Sequence, residues 1–170
     1  MMLIGVSIAV PDPAGTDLQD YRVGLGDRDA SGIPTHITLV PPTKIDDDEL
    51  GGVVEHLRAV AAEHHRFEIR LRGTGTFRPL SPVVFVNLVT GISECELLAD
   101  AVRTGPLDVD VDFPYHPHVT VAHELPEPSL DRAFDDLAGF EAAFTVKGFW
   151  LYTYDDQPGW VPQQAFPLSA

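Results

Sequence analysis

One cysteine in 170 residues, Cys95, rules out an internal disulfide, and its place in a helix-like stretch makes it a buried apolar thiol and not a nucleophile. Basic side chains are scarce: 11 Lys and Arg stand against 26 Asp and Glu, a formal net charge of -15. Sequence-blind binding to a polyanion rests on cationic neutralisation of phosphates, so this balance argues against a broad nucleic-acid surface. It leaves room for a small anion held in a pocket. The few cations are also unevenly spread, with 8 basic and 12 acidic residues in 1–90 but 3 and 14 in 91–170, so the first half is the better host for anion contacts. No apolar run reaches the roughly 18 to 20 residues that span a bilayer. Met1 to Val10 is apolar but has no basic leader and ends in Pro11-Asp12-Pro13, which predicts a first strand and a cytoplasmic protein. Low-complexity segments and flexible linkers are absent as well, and the length suits a single unit over 1–170, either one ordinary domain or two small lobes that share a core.

What is present has the patterning of an α+β protein. Leu3 to Val10 alternates large and small residues as a strand does, and Thr16 or Asp17 could cap a short helix bearing Leu18, Tyr21 and Leu25. Asp27 to Pro34 reads as a loop. Asp46 to Glu49 supplies negative charge to the start of a helix whose apolar positions, Leu50, Val53, Val54, Leu57, Val60 and Ala61, follow a 3.6-residue period. Arg66 to Arg72 alternates strictly, Phe67, Ile69 and Leu71 inward and the arginines outward. Gly73 to Phe77 reads as a glycine-punctuated link, wrongly patterned for a phosphate-cradling loop, and leads into a buried strand over Val83 to Val89. Ser93 and Glu96 have capping-box spacing before a helix with Cys95, Leu98 and Val102. After Pro126 comes a helix with Leu130, Phe134 and Leu137, then a strand from Phe144 to Tyr154, a turn at Asp155 to Gly159 and a last strand from Trp160 to Leu168, the two strands forming a hairpin. The order strand, helix, strand, helix, hairpin is thus followed by helix, strand, helix, hairpin, a weak internal duplication.

The most informative stretches are Thr35-His36-Ile37-Thr38-Leu39-Val40-Pro41-Pro42 and Pro117-His118-Val119-Thr120-Val121-Ala122. In an extended strand alternate side chains share a face, so His36 points with Thr38, and His118 with Thr120, while the intervening apolar residues point the other way. Pro41-Pro42 is expected to end the first strand. One His-x-Thr says almost nothing. Two of them, each in an apolar strand beside a proline, predict two imidazoles and two hydroxyls across one cleft. A pair of histidines can hold one neutral and one protonated ring near neutrality, which suits in-line attack on a phosphodiester; threonine hydroxyls can hydrogen-bond the non-bridging oxygens.

At these two tetrads, His36-Ile37-Thr38-Leu39 and His118-Val119-Thr120-Val121, the sequence resembles the two-histidine phosphoesterase superfamily, also called the 2′-5′ RNA ligase-like family. Pro41-Pro42, Pro117 and the late Trp160 to Leu168 strand look like its bacterial members. The resemblance implies a bilobal fold: two pseudo-symmetric lobes of mainly antiparallel sheet, helices on the outer side, and the motif strands facing a central groove. It implies metal-independent action, without a cofactor, on a 2′,3′-cyclic phosphate or a 2′-5′ linkage. His36 and His118 would be the catalytic acid/base pair, and Thr38 and Thr120 would bind phosphate. The implied partner is a nucleotide or short RNA carrying such a group, with no duplex nucleic acid, no membrane and a monomeric protein expected. The sequence departs from a common pattern after the second motif, where Ala122 is followed by His123 and Glu124 instead of a basic residue. That departure and the acidity point to a small substrate. Phe85, Tyr115, Phe149 and Trp150 could stack a base, although core packing is the simpler account of them.

Two other readings stay open on the residues alone. His116 and His118 share a strand face and, with His123 or the Asp108, Asp110 and Asp112 series, could make a metal-dependent hydrolase; the aspartates themselves lack the glycine and closing glutamate of a calcium loop. The same pocket could also serve a binding module that does not turn over.

Overall fold

A computed structural model describes residues 1–108 and 114–170 of the chain. Its strands are β1 (Met2–Ala9), β2 (His36–Ile45), β3 (Phe67–Thr76), β4 (Val83–Thr90), β5 (His118–His123), β6 (Glu141–Val146), β7 (Gly148–Asp155) and β8 (Gly159–Pro167). Its α-helices are α1 (Ala14–Gly24), α2 (Leu50–Ala62), α3 (Ile92–Val102) and α4 (Glu127–Asp136). The strands form two four-stranded sheets, in the order β2-β1-β7-β8 and β5-β4-β3-β6, with every strand pair within them antiparallel. The α+β, two-lobed architecture expected from the sequence is therefore the observed one. Each motif strand is the terminal strand of its sheet, and β2 packs against β5.

The lobes are not the sequence halves. Hairpin β3-β4 belongs with the second motif strand, whereas hairpin β7-β8 returns to the first sheet, so each lobe is completed by a hairpin from the other half. The crossing falls at Lys147. The stretch expected as one strand over Phe144 to Tyr154 is two strands in different sheets, β6 pairing with β3 and β7 with β1. The alternation of apolar residues does not reveal the break because both pieces keep one buried face. The predicted β7-β8 hairpin is present.

The core accounts for these choices. Ile37, Leu39, Val119 and Val121 are all fully buried, while His36, Thr38, His118 and Thr120 on the opposite strand faces are only partly covered. Burying one aliphatic side chain of this size contributes roughly 1.5 to 3 kcal/mol, enough to fix the register that presents the motif residues to the groove. Val53, Leu57, Val60 and Ala61 of α2 and Cys95, Leu98, Ala99 and Val102 of α3 join the same core, as their helical spacing predicts. Helix α4 packs on β3, β4 and β5, and α1 packs against β5.

Several boundaries differ from the sequence reading. Helix α1 starts at Ala14, and Thr16 is not its cap; the carboxylate of Asp12 accepts both the backbone N–H (2.9 Å) and the hydroxyl (2.5 Å) of Thr16. Within the Asp27 to Pro34 loop lies a 3-10 turn, Arg28–Gly32. Asp46 and Glu49 close a capping box over a 3-10 turn, so α2 proper begins at Leu50. Ser93 and Glu96 form no such box. The residue before α3 is Gly91, with φ +94, and a Cβ there would lie 2.6 Å from the carbonyl oxygen of Glu68. The link at Gly73 to Thr76 is the continuation of β3, kinked where its register with β4 slips between Leu71 and Thr74. Nor does Pro41-Pro42 end β2, which runs on to Ile45. An edge strand needs N–H donors on one side only, and the register with β1 slips between Ile4 and Val6, opposite the prolines, where a missing N–H costs no ladder bond.

Candidate functional site

The two histidines are held alike. Nδ1–H of His36 donates to the carbonyl oxygen of Pro34 at 2.6 Å, and Nδ1–H of His118 donates to that of His116 at 2.6 Å. A carbonyl can only accept, so each ring carries its proton on Nδ1 in the neutral form and leaves Nε2 as the reactive nitrogen. Among the described residues neither Nε2 has a hydrogen-bond partner. The hydroxyls behave similarly. Most threonines are engaged, Thr35 with Gly15, Thr43 with Pro41, Thr74 with Phe134 and Thr76 with Val83, whereas the hydroxyls of Thr38 and Thr120 find no partner among the described residues. Two free nitrogens and two free hydroxyls are thus presented on adjoining edge strands.

Direct bonds hold the strands together. The Tyr115 hydroxyl, just ahead of β5, donates to the carbonyl oxygen of Thr38 at 2.7 Å. The next carbonyl, of Leu39, accepts from Nε of Arg103 at 2.6 Å, and the guanidinium lies 4.9 Å from the centroid of the Tyr115 ring. Burial and the Cys95 side push the Tyr115 phenol far above its ordinary range, so it stays a donor. These residues come from the α3 end and the approach to β5, and they take the carbonyls that the irregular edge of β2 leaves over.

Electrostatics link the two rings. Burial depresses the pKa of His36, with the Pro34 carbonyl opposing and the charge of Arg22 adding to the fall. Burial likewise depresses that of His118, the His116 carbonyl opposing, while positive charge on His116 and on His36 lowers it further. Arg22 is itself nearly buried and paired with Asp27 at 3.0 Å, and Arg78 is tied to Glu127 (2.9 Å) and Asp131 (2.8 Å).

The walls differ between the lobes. On the first, a small cleft is lined by His36 and Thr38 together with Gly5, Ser7, Tyr152 and Trp160. On the second, His118 sits among aromatic rings: Phe77 meets it edge-on at 5.0 Å between centroids, Phe85 lies at 5.2 Å, and His116 stacks on it at 5.8 Å with planes 21° apart. Phe85 reaches this position because its cross-strand partner is Gly75; a Cβ there would stand 2.6 Å from the Phe85 ring. Phe77, Ser7, Tyr152, Trp160 and Arg103 carry no motif in the sequence and become visible only through the sheet register. Of the proposed base stackers, Phe149 is fully buried against Phe166, Tyr115 serves as the tie to β2, and Trp150 is half-buried.

The metal-ligand set does not assemble among the described residues: His116, His118, His123 and Asp108 do not converge, and His123 instead lies exposed beside Glu124 at 3.7 Å. Asp110 and Asp112 lie outside the described residues. The one group of three ligating side chains within 4.8 Å of one another among the described residues is the exposed Asp46, Asp48 and Glu49, where Asp46 and Glu49 cap the turn before α2. Among the same residues no helix is long and apolar enough to cross a membrane.

Comparison with known proteins agrees with the fold. A protein from Oceanobacillus iheyensis, named by inference a phosphoesterase, is 29% identical over 139 residues, covering 81% of each chain. A similarly named protein from Bacillus pumilus is 30% identical over 143 residues, again 81% of each. Among solved structures, a Thermus thermophilus protein matches with TM-score 0.70 at 21% identity over 98% of both chains, and E. coli LigT complexed with 3′-AMP with TM-score 0.70 at 16% identity over 99% of both. The sequence model of the 2′-5′ RNA ligase superfamily matches residues 10–158. The chain therefore belongs to the 2′-5′ RNA ligase superfamily.

Proposed function

We propose that this protein is a metal-independent phosphoesterase that opens a 2′,3′-cyclic phosphate, or cleaves a 2′-5′ phosphodiester, on a nucleotide or short RNA. The observation that carries the reading is the matched pair of Nδ1-anchored histidines, each with a threonine hydroxyl two residues on, on edge strands that adjoin. In this scheme one imidazole Nε2 takes a proton from water as its oxygen bonds to phosphorus. The bond from phosphorus to the ribose oxygen breaks, and the other imidazole, protonated, delivers a proton to that oxygen. Thr38 and Thr120 donate to the non-bridging oxygens, where negative charge builds.

Burial favours neutral rings in the free protein, which suits the base but not the acid. The phosphodiester brings its own negative charge into the groove and favours protonation of one ring, so the substrate itself completes the acid/base pair. A nucleotide-sized substrate is supported by the cleft beside His36, with Trp160 and Tyr152 in its wall, and by the chain's charge of -15, which opposes a long polyanion. LigT, of the same fold, has been solved with 3′-AMP, with NADP+ and with phosphate.

The test is hydrolysis of 2′,3′-cyclic AMP and of 2′-5′ linked dinucleotides in the presence of chelator. Wild-type protein should turn over at least one of them, and His36→Ala and His118→Ala should each lower kcat by about 10² to 10⁴ with the fold retained. Inert wild-type protein, or activity that chelator abolishes and zinc restores, overturns the reading.

A further inference from the structure

Despite the matched carbonyl anchors, the lobes are not equivalent at the residue that supplies each carbonyl. In the first lobe it is Pro34, which has no charge to offer. In the second it is His116, whose ring lies 5.8 Å from that of His118 with planes 21° apart. Phe77 and Phe85 pack against both of these rings, at 5.5 and 5.2 Å from His116 and 5.0 and 5.2 Å from His118. His116 is exposed and His118 only partly so, and burial penalises a charge on the more enclosed His118 ring. We infer that His116 is a positioning residue for His118: it fixes the ring through its carbonyl and, when protonated, holds His118 in the neutral form, a control that His36 lacks. The inference rests on the proposed acid/base pair for its use in catalysis, though not for the coupling itself.

The surroundings leave His116 as the nearby switch. Across the groove β2 contributes His36, which also opposes a charge on His118. Strand β4 faces His118 with Asn87 and Phe85, and the segment after β3 with Phe77. Helices α1 and α4, which also pack on β5, have Arg22 paired with Asp27, Tyr21 bonded to Asp136, and Glu127 and Asp131 bonded to Arg78. Among the described residues no carboxylate comes within 4.0 Å of either the His116 or the His118 ring. Two unit charges 5.8 Å apart, even at the dielectric of water, change a protonation equilibrium about threefold, and more where solvent is partly excluded.

The experiment follows the ring signals of His118 by NMR against pH in labelled full-length protein, beside the pH profile of kcat/KM for 2′,3′-cyclic AMP. In His116→Phe, which keeps the stacked ring but not the charge, His118 should titrate at higher pH and in one step. The ratio of kcat/KM at pH 5.5 to that at pH 7.5 should change threefold or more, falling where His118 is the base and rising where it is the acid. His116→Lys, which restores a positive charge, should return both readings towards wild type. Superimposable His118 titrations in wild type and His116→Phe overturn the inference even if the enzyme is active. A displaced titration in a protein inert towards every phosphodiester supports the coupling and refutes the catalytic reading instead.

Discussion

Removing one oxygen from Tyr115 tests whether the lobes are held in register by the bonds that cross between them. In Tyr115→Phe the ring stays, and with it the packing against Arg103 at 4.9 Å, but the 2.7 Å bond to the Thr38 carbonyl is lost. A neutral hydrogen bond in a partly buried setting contributes about 1 kcal/mol net, and leaving its acceptor unpaired costs about 1 to 3 kcal/mol. A loss of roughly 1 to 2 kcal/mol is therefore expected, read as a lower denaturant midpoint with unchanged slope. The kinetic effect should be larger than such a loss implies, because the carbonyl belongs to Thr38 itself. A displacement of about 1 Å at a reacting group can cost up to about 10²-fold, so kcat should fall about tenfold or more with KM little changed. Tyr21→Phe is the control: it removes a bond of the same length, 2.7 Å to Asp136, at the exposed contact between α1 and α4. It should cost less than about 1 kcal/mol and leave kcat untouched. If the two variants match in stability and in rate, the bond to Thr38 does not position the site.

Three further outcomes follow from the same structure. Both His36 and His118 have folded pKa values below the ordinary 6.5, so the unfolded chain binds protons that the folded chain does not, and stability is full above about pH 6.5 and declines as pH falls from there. Each such proton contributes at most about 1.4 kcal/mol per pH unit; urea denaturation between pH 7.5 and 5 should show this slope in wild type and a flatter one in His36→Asn with His118→Asn, and equal slopes would contradict it. Gly91→Ala must place a Cβ at φ +94 and within 2.6 Å of the Glu68 carbonyl, so a destabilisation of about 2 to 4 kcal/mol is expected by thermal or chemical unfolding, and a change under 1 kcal/mol would refute it. The Cys95 thiol, pushed up to about 12 by burial and by Glu94 and Glu96, should react with a thiol reagent only as fast as the protein opens; rapid labelling of the native protein would show it accessible.

What the sequence discloses here depends on whether a feature is periodic. Helices α2 and α3 and the alternating face of β3 are written in spacing, and the buried residues are the ones the spacing names. The His-x-Thr pair is legible for the same reason, since alternation along a strand assigns each His and Thr to one face whatever lies across from it. The misjudged places depend on neighbours far away in the chain. Pro41-Pro42 looks like a stop until β2 is known to be an edge. Ser93 with Glu96 has capping-box spacing, yet the close approach of Gly91 to Glu68 sets where α3 begins. Lys147 separates two sheets although the apolar pattern continues through it. The walls of the site are hidden for a related reason: Phe85 meets His118 because Gly75 lies opposite, and no local pattern encodes that pairing.

The departures from local rules collect at the groove, and that concentration is an argument in itself. A half-buried threonine hydroxyl normally finds a partner, and in this chain Thr35, Thr43 and Thr76 do, yet among the described residues Thr38 and Thr120 do not. Enclosed histidines are costly to charge, and here two partly buried ones with depressed pKa values are set on adjoining strands. Edge strands are ordinarily shielded from further pairing, yet both motif strands are edges, tied through Tyr115 and Arg103 at carbonyls and not by a ladder. A continuous sheet across β2 and β5 would have been the cheaper way to bury those edges. Bridging the two edges at Thr38 and Leu39 without a ladder leaves both motif strands unpaired on that side, and a fold selected for stability alone would have paired them.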